Sequence, residues 1–120
     1  MKIAIPVDEN TMETGVCPSF GRAPYFMIYD TDKSDAAFIV NTAATASGGA
    51  GIKAAQFVVD EKPEVLLTPR CGQNAAEVIT AAGIKMYKTV AGTAKENVAF
   101  YEKGELVAMT EFHEGFHGKQ

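Results

Sequence analysis

Apolar residues run almost unbroken through Ile3-Ala4-Ile5-Pro6-Val7, the pattern of a strand covered on both faces. A second run, Tyr25-Phe26-Met27-Ile28-Tyr29, ends at the turn-prone Asp30-Thr31-Asp32-Lys33-Ser34-Asp35. Ala37-Phe38-Ile39-Val40-Asn41 follows at once, so the second and third strands form an antiparallel hairpin.

From Ala50 the period lengthens. Ile52, Ala55, Val58 and Val59 fall on one helical stripe, and Glu61-Lys62-Pro63 ends it. Val65-Leu66-Leu67-Thr68 is a short buried strand. Asn74 then stands in the N-cap pattern with Glu77 at the capping-box position, and Val78, Ile79 and Ala82 give an apolar face closed by Gly83. Ile84-Lys85-Met86-Tyr87 makes a fifth strand. Thr93-Ala94-Lys95-Glu96 is a second capping box, opening a helix through Val98 and Tyr101 to Gly104.

The order β-β-β-α-β-α-β-α predicts an α/β domain over residues 1–110. Its strand–helix–strand crossovers impose parallel pairing, while the hairpin makes the sheet mixed. The first strand is expected at the centre, with the second antiparallel to it. Beyond Gly104 the pattern fades, and Glu111 to Gln120 reads as a polar tail.

Composition narrows the partners. The chain has 120 residues, 47% hydrophobic and 22% charged, with a formal net charge of −4. That is one domain with enough apolar surface for a core without disulfides. No Lys/Arg-rich run offers a phosphate footprint, so a nucleic-acid partner is not expected. No apolar stretch reaches the ~18 residues of a membrane span, and the first strand is not a signal peptide. The expectation is a cytoplasmic protein whose thiols stay reduced.

Three loops should meet at one edge of the sheet, where the carboxyl ends of parallel strands build ligand crevices. They are Glu9–Pro24, Ala43–Gly51 and Pro69-Arg70-Cys71-Gly72. The first carries Ser19-Phe20-Gly21-Arg22-Ala23-Pro24, a turn glycine, a cation and a locked proline between two aromatics. Cys17 and Cys71, the two cysteines of the chain, lie in two of these loops. Thiolates there suit soft metals and iron–sulfur units, and Arg22 and Arg70 would lower their pKa values. The other reading makes both cysteines small buried hydrophobes.

Ser47-Gly48-Gly49-Ala50-Gly51-Ile52-Lys53-Ala54 contains Gly-x-Gly-x-x-Ala but follows the third strand, and no acid ends the next one. It is therefore not a dinucleotide fingerprint. It is either an anion cradle of backbone amides at a helix start, including Gly49 and Gly51, or a hinge. His113-Glu114-Gly115-Phe116-His117 matches H-E-x-x-H, but Gly115 weakens a helix and only three residues remain beyond it. His113 and His117 form either a loose metal pair or a solvated end. No catalytic constellation emerges.

The Ile3-Ala4-Ile5-Pro6-Val7-Asp8 strand, the Phe20-Gly21-Arg22-Ala23-Pro24-Tyr25-Phe26 loop, Gly49-Ala50-Gly51-Ile52 and Ala81-Ala82-Gly83-Ile84-Lys85 together resemble a known family. It is the dinitrogenase iron–molybdenum cofactor biosynthesis (nitrogenase accessory factor) family, and the likeness spans residues 1–108. It implies a ribonuclease-H-like three-layer α/β/α sandwich with a mixed five-stranded sheet. It further implies a non-enzymatic carrier or scaffold for an iron–sulfur or iron–molybdenum–sulfur cluster, with a cluster-donor or acceptor protein as partner. Ser19 stands where many members carry a histidine, so Cys17 and Cys71 become the candidate ligands. Arg22, Arg70, Ser19 and the Gly49 and Gly51 amides would balance cluster charge. Some members hold their cluster largely by electrostatic and apolar contacts. The alternative function is a metal-free interaction or anion-binding regulatory module. A hydrolase ranks last, because Asp8 alone among the acids is suited to a strand end.

Overall fold

The computed structural model describes residues 1–110. The tail over 111–120, with its histidine pair, lies outside the described residues. Six strands form one sheet in the order β3-β2-β1-β4-β5-β6. They are β1 (Lys2–Val7), β2 (Tyr25–Asp30), β3 (Asp35–Val40), β4 (Val65–Thr68), β5 (Lys85–Lys88) and β6 (Val107–Ala108). The helices are α1 (Ala50–Asp60), α2 (Gln73–Ala81) and α3 (Ala94–Glu102), with a 3₁₀ turn at Thr42–Thr45.

β1 is interior, antiparallel to β2 and parallel to β4. Its apolar run is continuous because both faces are covered. Ala4 joins Phe26, Leu66 and Met86 under α1 and α2 through Ala54, Ala55, Val58, Ala76 and Ile79. Ile3, Ile5 and Val7 join Met27, Val65 and Leu67 under α3 through Ala94 and Val98. The result is an α/β/α layering with two helices on one face and one on the other.

Four details of the sequence reading are corrected. The sheet has six strands, not five. β6 is two exposed residues paired with Tyr87 and Lys88, too short to carry any alternation. β3 ends at Val40, and Asn41 instead caps the 3₁₀ turn by accepting from the Ala43 amide. On α1 the buried residues are Ala50, Ala54, Ala55 and Val58, while Ile52 is 37% exposed. Small alanines let α1 pack closely against α2, so the stripe follows size as well as hydrophobicity. Finally, α2 begins after Gly72, with no side-chain cap. Burial of Ala75 and Ala76 against the sheet brings Asn74 inside the helix, and Ala82 is an exposed C-cap.

The second capping box does form. Thr93 Oγ1 accepts from the Glu96 amide at 3.1 Å, and the Glu96 carboxylate accepts from the Thr93 amide at 2.8 Å. Thr93→Ala should cost about 1 kcal/mol. Asn74→Ala, a change within an exposed helical turn, should stay within about 0.5 kcal/mol of the parent. Urea unfolding of both variants measures the contrast, and a larger loss at Asn74 would restore it as a cap.

Candidate functional site: two helix starts at the carboxyl edge of the sheet

Strand register brings Val7, Tyr25 and Val40 into one row, and Thr68 ends β4 at the same edge. The loops after β1, β3 and β4 therefore emerge together. At this edge the three helices begin in two different ways.

The start of α3 is saturated. Its first three amides donate to Thr14 O (2.9 Å), Met12 O (3.1 Å) and Thr93 Oγ1 (3.1 Å). The Thr11–Val16 segment folds back for this purpose, bridging Val7 through Val16 and Thr93 through Gly15. Thr14 is buried, and its hydroxyl accepts from the Glu9 amide at 2.8 Å.

Among the described residues the starts of α1 and α2 are open. Each has a glycine N-cap, no side-chain cap and no acid in its first turn. Among the described residues nothing accepts from the amides of Ala50, Gly51 and Ile52, or of Gln73, Asn74 and Ala75. The two starts are adjacent, since a Cβ on Gly51 would lie 3.7 Å from the Ala75 Cβ. Each helix N-terminus carries roughly half a positive charge, and side by side the two favour an anion. Gly49 has φ +68°, and among the described residues a Cβ on Gly48 or Gly49 would meet nothing within 4 Å. Among the described residues the glycine loop thus leaves open space at Gly48 and Gly49, just ahead of the α1 amides.

The Phe20–Pro24 loop lies directly against this point. A Cβ on Gly21 would stand 2.9 Å from both Gly51 Cα and Gly51 N, so only glycine permits the approach. Phe20 is buried and packs its ring tilted against Phe26, with centroids 5.3 Å apart. Ser19 is exposed, and its hydroxyl accepts from the Arg22 amide. Arg22 Nη1 donates to Ala44 O at 3.0 Å and Ala46 O at 2.8 Å. Arg70 is exposed in the loop before α2, where Thr68 Oγ1 donates to its carbonyl at 2.9 Å.

Both cysteines are free and buried. Cys17, 7% exposed, donates its amide to Pro6 O. Burial pushes its thiol up, a backbone hydrogen bond near Ser19 opposes this, and the Asp8 carboxylate adds to the rise. Cys71, 2% exposed, packs among Phe20, Phe26 and Ala75, and burial pushes it up to about 12. The expectation that Arg22 and Arg70 would depress these pKa values is corrected. Desolvation dominates at both thiols, and the Arg22 guanidinium is turned to backbone carbonyls. Among the described residues no group of three or more His, Cys, Asp or Glu side chains is placed to hold a metal ion.

Two residues carry more of this region than their sequence signals suggested. Asn41, read as the end of a strand, is buried and joins the Gly21–Ala23 loop to the 3₁₀ turn. Asp8, read only as a strand-end acid, faces Cys17. A lone Asn after an apolar run is the signal that could have marked Asn41.

The chain belongs to the family described as dinitrogenase iron-molybdenum cofactor, which matches residues 1–104. It is similar to the apo form of the orange protein from Desulfovibrio gigas, at 32% identity over 91% of this chain and 92% of that one, with a TM-score of 0.87. A candidate NifB protein from Thermotoga matches at 35% identity over 94% and 97% of the two chains, with a TM-score of 0.82. A candidate dinitrogenase from Methanocaldococcus jannaschii shares the fold at 19% identity, 92% and 96% coverage and a TM-score of 0.70. No functionally curated protein matches. No helix among the described residues is long and apolar enough to cross a membrane.

Two outcomes follow from this geometry. Gly21→Ala should destabilise the fold by about 1–3 kcal/mol, because the new methyl meets backbone rather than a yielding side chain. The Cys71 thiol has its pKa raised from 9.0 to about 12 in the folded chain. The folded state therefore keeps a proton that the unfolded state sheds above pH 9, so this contribution to stability is full below pH 9 and declines as pH rises toward 12. Denaturant midpoints from pH 8 to 11 should fall less steeply in Cys71→Ala; parallel curves would contradict the assignment.

Proposed function

We propose that this protein is a non-enzymatic carrier or scaffold for an anionic metal–sulfur cluster of the iron–sulfur or iron–molybdenum–sulfur type. The cluster is cargo, received from a donor protein and passed to an acceptor. The observation that carries this reading is the pair of adjacent, uncapped helix starts of α1 and α2. Their amides point positive charge at one place in a chain whose net charge is −4. A sulfide-terminated cluster is anionic, accepts N–H hydrogen bonds at its sulfur atoms, and satisfies its own metals. It needs a cradle more than it needs ligands. Family membership supports the same class of cargo.

In this reading the amides around Gly49 and Gly51 hold the cluster, Arg70 adds charge, and Ser19 and Arg22 border the site from the facing loop. Cys17 and Cys71 enter as ligands only if the cluster draws the thiols out of burial and strips their protons. That cost is set by the raised pKa values. The cradle is the cheaper mode.

The second reading is a metal-free module that binds a small anion and regulates a partner. The same open amides favour it, and they would take an oxoanion in the place of the cluster.

Anaerobic reconstitution of the apo-protein with iron and sulfide, with and without molybdate, tests the choice. The expected result is charge-transfer absorption that survives Cys17→Ala with Cys71→Ala and truncation after Thr110. Loss in the double cysteine variant would assign the ligands to the thiols. Loss on truncation would assign them to His113 and His117. Failure to acquire any chromophore in the wild type would leave the anion-binding module.

A further inference from the structure

The glycine loop that opens α1 has few tethers of its own. Among the described residues a Cβ on Gly48 or Gly49 would touch nothing, and the one backbone hydrogen bond to Ser47, Gly48 or Gly49 from outside the loop is that from the Lys53 amide to Gly49 O. What fixes this loop lies just outside it. On the upstream side, Arg22 Nη1 takes both the Ala44 and the Ala46 carbonyl. Ala44 lies in the 3₁₀ turn and Ala46 is its C-cap, so one guanidinium nitrogen gathers carbonyls that the end of that turn leaves unpaired. On the downstream side, the Gly21 backbone rests on Gly51. The loop is thus pinned at Ala46 and at Gly51, in both cases by the Gly21–Arg22 dipeptide.

That dipeptide is held in turn. Asn41, 3% exposed, donates from Nδ2 to Gly21 O at 3.1 Å and to Ala23 O at 2.9 Å. Its Oδ1 accepts from the Ala43 amide at 3.1 Å, and its own amide donates to Pro24 O at 3.0 Å. Every polar atom of the Asn41 side chain is used in joining the loop after β1 to the turn before α1. The contacts close a ring from Asn41 to Gly21 and Arg22, then to Ala44 and Ala46, along the glycines to Gly51, and back to Gly21.

We infer that Arg22 and Asn41 are positioning residues, whose part in anion or cluster binding is to fix the glycine loop over the α1 amides rather than to contribute charge. The inference rests on the cradle reading above for its binding consequence, but the ring itself belongs to the metal-free protein. The cation of Arg22 is there because a planar fork with two hydrogens on one nitrogen can serve two carbonyls at once. A lysine keeps the charge, but its ammonium falls one bond short of the Nη1 position and is strongly hydrated.

The experiment compares wild type, Arg22→Lys, Arg22→Ala and Asn41→Ser. It measures backbone ¹⁵N relaxation in the metal-free proteins, thermal unfolding, and affinity for tetrathiomolybdate at low and high salt. Arg22→Lys and Arg22→Ala should show the same localised rise in mobility over residues 46–51, with the rest of the domain unchanged. Both should bind tetrathiomolybdate about tenfold more weakly, the equivalent of one charge-assisted hydrogen bond, and with the salt dependence of wild type. Asn41→Ser should mobilise residues 20–24 and 46–51 together, showing that the two segments move as one unit. Wild-type affinity in Arg22→Lys, with reduced affinity and weaker salt dependence in Arg22→Ala, would make Arg22 a charge donor and overturn the inference. Unchanged relaxation over residues 46–51 in both Arg22 variants would overturn it as well. If wild type binds no tetrathiomolybdate, the cradle reading fails while the relaxation data still decide whether the strap exists.

Discussion

The contact of the Gly21 backbone with Gly51 is the constraint on which the arrangement at this edge depends. No side chain fits between them, since even a methyl would approach the Gly51 Cα and N at 2.9 Å. The loop after β1 is consequently pressed against the first turn of α1. Gly51 is in turn close to Ala75 at the start of α2. Three backbone segments from different parts of the chain are therefore fixed relative to one another by the absence of side chains. The positions of the open amides follow from that packing.

The rest of the fold supplies the platform. β1 carries apolar side chains to both faces, so α1 and α2 can be sited on one side and α3 on the other. The α3 side is closed electrostatically as well as sterically, because the Thr11–Val16 segment spends its carbonyls on the α3 amides. Equivalent carbonyls are not supplied to α1 or α2 among the described residues. In a chain of net negative charge, this asymmetry concentrates positive potential at one place without a cluster of basic side chains.

The interior place of β1, its antiparallel pairing with β2 and the layering were legible because β1 and β4 are buried on both faces and the hairpin has a short polar turn. β6 was not, since Val107–Ala108 is only two residues long and both are exposed. The Thr93–Glu96 capping box was readable because both partners are local. The Asn74–Glu77 pattern misled because tertiary burial of Ala75 and Ala76 moved the helix start to Gly72. At the candidate site, the glycine loop and the Phe20–Pro24 loop stood out from residue types alone. The state of the cysteines did not, because desolvation depends on what packs around Cys17 and Cys71 rather than on nearby arginines in sequence. The role of Arg22 was hidden for a similar reason: its partners are main-chain carbonyls more than twenty residues away.

The central claim is that backbone amides at the paired starts of α1 and α2 form the binding surface. A ¹H–¹⁵N titration of the metal-free wild-type protein with tetrathiomolybdate tests it most directly. The account predicts that the largest shifts fall on Ala50, Gly51, Ile52, Gln73, Asn74 and Ala75, with the α3 start at Ala94–Glu96 unmoved. Shifts confined to other parts of the chain, with the α1 and α2 starts unaffected, would contradict it.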